Sequence, residues 1–144
     1  MLQDCNNFSS PTGENMLTIL VIEDNIDMLE MLSEVLILME YRVYTAQNGN
    51  HAVQILDQAT LPPDVILSDW RMPKMDGRTL MVTLSKNPGW SNIPVIIMSG
   101  CDHDMTDAIK SGAFAYLSKP FDMDYLSDLL YQLVDKRASA STVL

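Results

Sequence analysis

Two kinds of stretch alternate along the chain. Leu17-Thr18-Ile19-Leu20-Val21-Ile22 is a short, almost continuous apolar run closed by Glu23-Asp24, the pattern of a strand buried on both faces. Asp27 then predicts a helix start, with Glu30 three residues later completing a capping box. Met28, Met31, Leu32, Val35 and Met39 keep helical spacing along one stripe, which reads as a core face before it reads as a partner-binding one. The alternation repeats four more times. Val43–Ala46 predicts a strand, and 50–58 a short helix after Asn48-Gly49. Val65–Ser68 is a second buried run ending in Asp69, followed by a helix from Gly77 to Lys86. Pro94–Ser99 is strand again, and Met105–Lys110 a helix that stops at Gly112. Phe114–Ser118 is the last strand, and Met123, Leu126, Leu130 and Leu133 stripe the closing helix. Five strands alternating with five helices predict a parallel sheet with right-handed crossovers and helices on both faces.

The ends differ from the middle. Residues 1–15 are polar and turn-prone, through Asn6, Asn7, Ser9, Ser10, Pro11 and Gly13, and read as a leader with Met16 as an alternative start. The expected domain is 16–136, with a short tail over 137–144 and no room for a second domain in 144 residues. A hydrophobic fraction of 47% against 19% charged belongs to a globular chain. The net charge of −10 argues against a surface that itself binds DNA or RNA, because phosphate neutralisation needs a basic patch. It suits a solvated acidic surface, a cation site or a basic partner. Cys5 and Cys101 are too few and too far apart for a disulfide framework or a zinc site, and read as free thiols in a reducing compartment. No apolar run approaches the roughly 20 residues that span a bilayer, and the N-terminus has no basic signal region. A cytoplasmic address without membrane attachment is expected.

In an open parallel sheet, ligands bind beyond the carboxyl ends of the strands. Those ends are Glu23-Asp24, Asp69, Ser99 and Ser118-Lys119-Pro120. Three carboxylates brought together need protons or a cation. Oxygen-only ligands on a rigid edge suit Mg²⁺, with Mn²⁺ as a substitute. Asp69, on the central strand, is then the natural nucleophile, and its attack on phosphorus gives an acyl phosphate. Lys119 and the cation would neutralise the transferring oxygens while Ser99 donates a hydrogen bond.

These residues carry a resemblance. The runs 21–25, 64–77, 93–99 and 112–121, which read VIEDN, DVILSDWRMPKMDG, IPVIIMS and GAFAYLSKPF, resemble the receiver domains of bacterial two-component response regulators, of the single-domain chemotaxis type. The resemblance covers nearly everything from Leu17 to about Lys136. It implies a flavodoxin-like (βα)5 three-layer sandwich with strand order 2-1-3-4-5. Asp69 would be the phospho-acceptor, fed by a sensor histidine kinase or phosphotransfer protein. Asp24 would hold Mg²⁺ directly and Glu23 through water, with Asp69 and the Arg71 backbone carbonyl as further ligands. Ser99 would be the switch hydroxyl and Tyr116 the aromatic that follows it. Lys119 would pair with the phosphoryl group, and the Lys119–Pro120 peptide would be cis. A downstream protein would dock on the face of the fourth helix, fifth strand and fifth helix, in a monomer or a phosphorylation-dependent dimer. Such a domain is a signalling switch and not an enzyme with external turnover.

Some positions depart from the pattern or have plainer readings. Glu23 stands where Asp is commoner, which lengthens the reach to a cation. Gly100 leaves the phosphoryl group open to approach, and Arg71 and Cys101 occupy the positions expected to tune dephosphorylation. The expectation for Arg71 is that it shields or salt-bridges the aspartyl phosphate. Tyr116 also fits a plain half-buried strand aromatic, Trp70 a packing residue, Gly77 a backbone requirement, and His51 and His103 surface positions. Two competing functions follow. A phosphohydrolase of the haloacid-dehalogenase type needs a second Asp two positions after the nucleophile, where Arg71 stands. A phosphorylation-independent interaction module would need none of the acidic set that is present.

Overall fold

Three of the apolar runs form the middle of the sheet in the computed structural model, which describes residues 17–143, with side chains placed as far as Lys136. Met16, the 1–15 leader and Cys5 lie outside the described residues. The strands are β1 (Thr18–Ile22), β2 (Arg42–Ala46), β3 (Val65–Asp69), β4 (Val95–Ser99) and β5 (Ala115–Ser118). They pair in parallel in the order β2-β1-β3-β4-β5. Helices α1 (Ile26–Leu38), α2 (Gly49–Gln58), α3 (Gly77–Ser85) and α4 (Asp104–Lys110) make the crossovers, and α5 (Met123–Val143) follows the last strand. This is the flavodoxin-like (βα)5 arrangement with strand order 2-1-3-4-5 that the resemblance implies. Every residue of β3 and β4 is buried, whereas the edge strand β2 buries fully only Ala46.

Successive residues on a strand face opposite sides, and this splits the core in two. Ile19, Val21, Val65, Leu67, Ile96 and Met98 pack with Leu29, Leu32 and Leu36 of α1 and Leu126, Leu129 and Leu130 of α5. Leu20, Ile22, Ile66, Val95 and Ile97 pack on the other face with Ala52 and Leu56 of α2, Leu80, Met81 and Leu84 of α3 and Ala108 of α4. Each large side chain buried this way contributes about 1.5–3 kcal/mol of transfer free energy.

Two expectations for α1 are corrected. The α1 cap is Asn25, whose side-chain oxygen accepts from the Met28 N–H at 3.0 Å, while Asp27 sits inside the first turn. The buried stripe of α1 runs through Leu29, Leu32 and Leu36, so Met31 faces outward, 43% exposed. Helix α5 runs on to Val143, and no Gly or Pro interrupts 123–143. Helices α2 and α3 also begin where a polar side chain satisfies a free N–H group, Asn48 at α2 and Asp76 at α3, whereas α4 starts after His103 without a side-chain cap.

Candidate functional site

The register fixes which strand ends meet. Ile22 stands opposite Ser68, Asp69 opposite Met98, and Ser99 opposite Ser118. The next residues along, Glu23, Trp70 and Lys119, are tied to neighbouring strands. The Glu23 N–H donates to the Ala46 carbonyl at 3.0 Å, Trp70 N–H to Met98 at 2.9 Å, and Lys119 N–H to Ser99 at 2.7 Å. The site therefore stands on paired backbone. The Lys119–Pro120 peptide that follows β5 is cis.

Carboxylate oxygens of Glu23, Asp24 and Asp69 lie within 4.8 Å of one another. Glu23 is 1% exposed and Asp69 7%, while Asp24 faces solvent. Two buried carboxylates at this spacing need compensation, and Lys119 supplies part of it. Its Nζ lies 2.7 Å from Glu23 Oε1 and 3.4 Å from Asp69 Oδ2. The second Glu23 oxygen accepts the Asn25 N–H at 3.1 Å. Burial, then the neighbouring Glu23 charge, pushes the Asp69 carboxyl up to about 7, against the pull of Lys119. Burial lowers the Lys119 ammonium, but the Glu23 hydrogen bond and the two carboxylate charges outweigh it and leave its pKa raised. Hard oxygen donors with excess negative charge fit a divalent cation of the Mg²⁺ kind, and among the described residues this trio is the one group so arranged.

The loop after β3 is drawn tight around the acceptor. The Gly77 N–H donates to the Trp70 carbonyl at 2.7 Å. A Cβ on Gly77 would come within 2.5 Å of the Trp70 ring and 2.9 Å of its Cα. Only glycine permits this approach. Trp70 is buried against Leu80, Ile66 and their neighbours, in keeping with a packing role.

Ser99 has the strand parity of Val95 and Ile97 and so belongs to the α2–α3–α4 side. There its hydroxyl donates to Asp104 Oδ2 at 2.7 Å and accepts the Cys101 N–H at 3.1 Å. Asp104, at the start of α4, is 5% exposed. It also accepts two bonds from Arg71, Nε to Oδ2 at 2.8 Å and Nη2 to Oδ1 at 2.9 Å. The Arg71 guanidinium is thus paired with Asp104 and, at 3.8 Å, touches Cys101 Sγ. That hydrogen bond, with Ser99 adding to it, holds the Asp104 carboxyl below its usual range despite burial. The Tyr116 hydroxyl donates to the Cys101 carbonyl at 2.6 Å, and burial pushes its pKa up. One residue, Cys101, therefore links Ser99 to Tyr116, through its backbone N–H on one side and its carbonyl on the other. A Cβ on Gly100 would meet nothing within 4 Å. His51 and His103 are exposed.

Sequence reasoning missed Asp104. Asp104-Met105-Thr106-Asp107 reads as an ordinary solvated first turn, and only the parity of Ser99 pointed toward that helix.

The model of the response regulator receiver domain family matches residues 19–131, and the chain belongs to this family. It is 34% identical over 118 residues to a probable transcriptional regulator, ycf29, of Pyropia yezoensis, covering 81% of this chain and 52% of the relative. The chain spans between 23% and 54% of the length of the curated relatives it matches first. Among solved structures, the receiver domain of the Francisella response regulator 1452 superposes with a TM-score of 0.76 at 29% identity, covering 84% of this chain and 98% of that one. The response regulator TrrA of Thermotoga maritima, solved in complex with Mg²⁺ and BeF, gives 0.73 at 26% identity over 82% of this chain and 99% of its own. Receiver domains are signalling domains and not enzymes in the usual sense. No helix among the described residues is long and apolar enough to cross a membrane.

Proposed function

We propose that Asp69 is a phospho-acceptor and that the domain is a cytoplasmic, phosphorylation-dependent switch. The observation that carries this is the packing of Asp69 among Glu23, Asp24 and Lys119, whose oxygens and ammonium stand within 4.8 and 3.4 Å. Asp24, Asp69 and the Arg71 carbonyl would hold Mg²⁺, or Mn²⁺ in its place, with Glu23 behind them engaged by Lys119. When bound, the cation offsets the carboxylate repulsion and neutralises charge on transferring phosphoryl oxygens.

An Asp69 oxygen bonds to phosphorus as the phosphorus–nitrogen bond of a phosphohistidine, on a sensor kinase or phosphotransfer protein, breaks. The electron pair stays on the imidazole, which is protonated from solvent. In the separate step of dephosphorylation water attacks phosphorus, the phosphorus–Asp69 bond breaks with its electron pair returning to the carboxylate, and inorganic phosphate leaves as the water's proton passes to solvent. Lys119 Nζ steadies the anionic oxygens, and Ser99 turns its hydroxyl to one of them. Gly100 keeps the approach open, and Arg71 and Cys101 set the lifetime of the acyl phosphate. Movement of Ser99 loosens the Cys101 peptide and so reaches Tyr116 and the α4-β5-α5 face, where a downstream protein docks. Helices α4 and α5 carry exposed Met105, Ile109, Tyr125 and Tyr131. The acidic balance supports a protein partner in preference to direct nucleic-acid contact.

Hydroxylamine tests the bond type. Phosphoryl label incorporated with Mg²⁺ and a small phosphodonor should be released by neutral hydroxylamine, which cleaves acyl phosphates. Label that resists it, as a serine phosphate does, would contradict the assignment.

A further inference from the structure

We infer that Asp104 is a positioning residue that holds the Ser99 hydroxyl out of reach of a phosphoryl group until Asp69 carries one. This deepens the reading above and rests on Ser99 as the hydroxyl that meets the phosphoryl oxygen. A serine has one hydroxyl hydrogen. In this structure it is donated to Asp104 Oδ2 at 2.7 Å, so it cannot at the same time be donated to an oxygen on Asp69. The acceptor is a buried carboxylate, 5% exposed, which makes the bond a charge-assisted one, about twice as strong as a neutral pair. Ser99 is therefore latched before phosphorylation.

Arg71 gives the latch a way to open. If Ser99 were the sole partner of a buried carboxylate, its departure would strand an unpaired buried charge, which is strongly unfavourable. Asp104 instead keeps two bonds from Arg71, at 2.8 and 2.9 Å, one on each oxygen. Release of Ser99 then breaks one hydrogen bond and leaves Asp104 satisfied. The Cys101 N–H, which donates to the Ser99 oxygen at 3.1 Å, and the Tyr116 hydroxyl on the Cys101 carbonyl register the same movement. Asp104 thus sets how readily Ser99 moves, and Arg71 acts through Asp104 and not on the acceptor in the resting state.

The test uses the full chain, with Asp104→Asn made in the wild-type and the Ser99→Ala backgrounds. Asn keeps the shape and removes the charge that strengthens the latch. With phosphoramidate and Mg²⁺, Asp104→Asn should speed phosphorylation by about tenfold where Ser99 is present, the weight of one charge-assisted hydrogen bond. In the Ser99→Ala background the same change should give a ratio near one, whereas a general electrostatic or folding effect would act equally in both. Equal ratios in the two backgrounds overturn the latch. A second readout needs no phosphodonor. The Cys101 amide should exchange with solvent faster by about tenfold in Asp104→Asn while the Met98 amide in β4 stays protected. Unchanged Cys101 exchange also overturns the proposal. Absence of any adduct on wild type would instead count against Asp69 as acceptor, and the amide readout would still decide the latch.

Discussion

The Lys119 ammonium lies 2.7 Å from the buried Glu23 carboxylate, closer than to Asp69 at 3.4 Å. Lys119 therefore works first as the counter-ion that lets Glu23 be buried, and only second as a neighbour of the acceptor. Lys119→Met should destabilise the fold by about 3 kcal/mol, the low end for breaking a buried pair, because Lys119 is itself partly solvated. With one cation fewer, the trio of carboxylates should bind Mg²⁺ several-fold more tightly. Urea unfolding and a Mg²⁺ titration followed by calorimetry check the two together. A variant of unchanged stability with weaker Mg²⁺ binding would contradict this view of the site.

Asp69 makes stability depend on pH in an unusual direction for a carboxylate. Its folded pKa, about 7, lies above its ordinary 3.8, so between those values the folded chain holds a proton that the unfolded chain has released. Stability then falls as pH rises through that window. Asp69→Asn removes the penalty. The variant should melt at nearly the wild-type temperature near about pH 4 and several degrees higher at about pH 8, with the gap opening over the window between those two pKa values. Mg²⁺ should narrow the gap by stabilising wild type more than the variant. Melting curves across pH, with and without Mg²⁺, measure this directly; a gap that is constant with pH would count against the burial-raised carboxyl.

Gly77 is required by close approach. The added Cβ of Gly77→Ala would meet Trp70 at 2.5 Å from the ring and 2.9 Å from Cα, and the backbone atom cannot yield cheaply. A loss of about 1–3 kcal/mol is expected, typical of overpacking, together with slower phosphorylation because Trp70 adjoins Asp69. Gly100→Ala, by contrast, meets nothing within 4 Å and should unfold as wild type does. Denaturant curves of the two variants form the comparison.

Much of this site could be read before any coordinates. Buried runs such as Val65–Leu67 and Ile96–Met98 declare parallel strands, and charged residues placed directly after them have nowhere to go but the sheet's carboxyl edge. Glu23, Asp69 and Lys119 stand out for that reason. Other features depended on packing that no local pattern encodes. The α1 stripe of Met28, Met31, Leu32, Val35 and Met39 shares Leu32 with the buried face, and Met28 and Met39 pack at its margin, but it misses Leu29 and Leu36 and takes in the exposed Met31. Asn25 outcompetes Asp27 as cap because the chain leaves β1 only after Ile22, with Asn25 already extended. Asp104 stayed hidden because its hydrogen-bond partners, Arg71 and Ser99, lie 33 and 5 residues away in the chain.

The central claim is that Asp69 accepts a phosphoryl group. Intact mass after incubation with a small phosphodonor and Mg²⁺, on wild type and Asp69→Asn, tests it most directly. One phosphoryl group should appear on wild type alone and fail to form when Mg²⁺ is chelated. An adduct of the same mass on Asp69→Asn, or none on folded wild type with either a small donor or a phosphorylated histidine kinase, would contradict it.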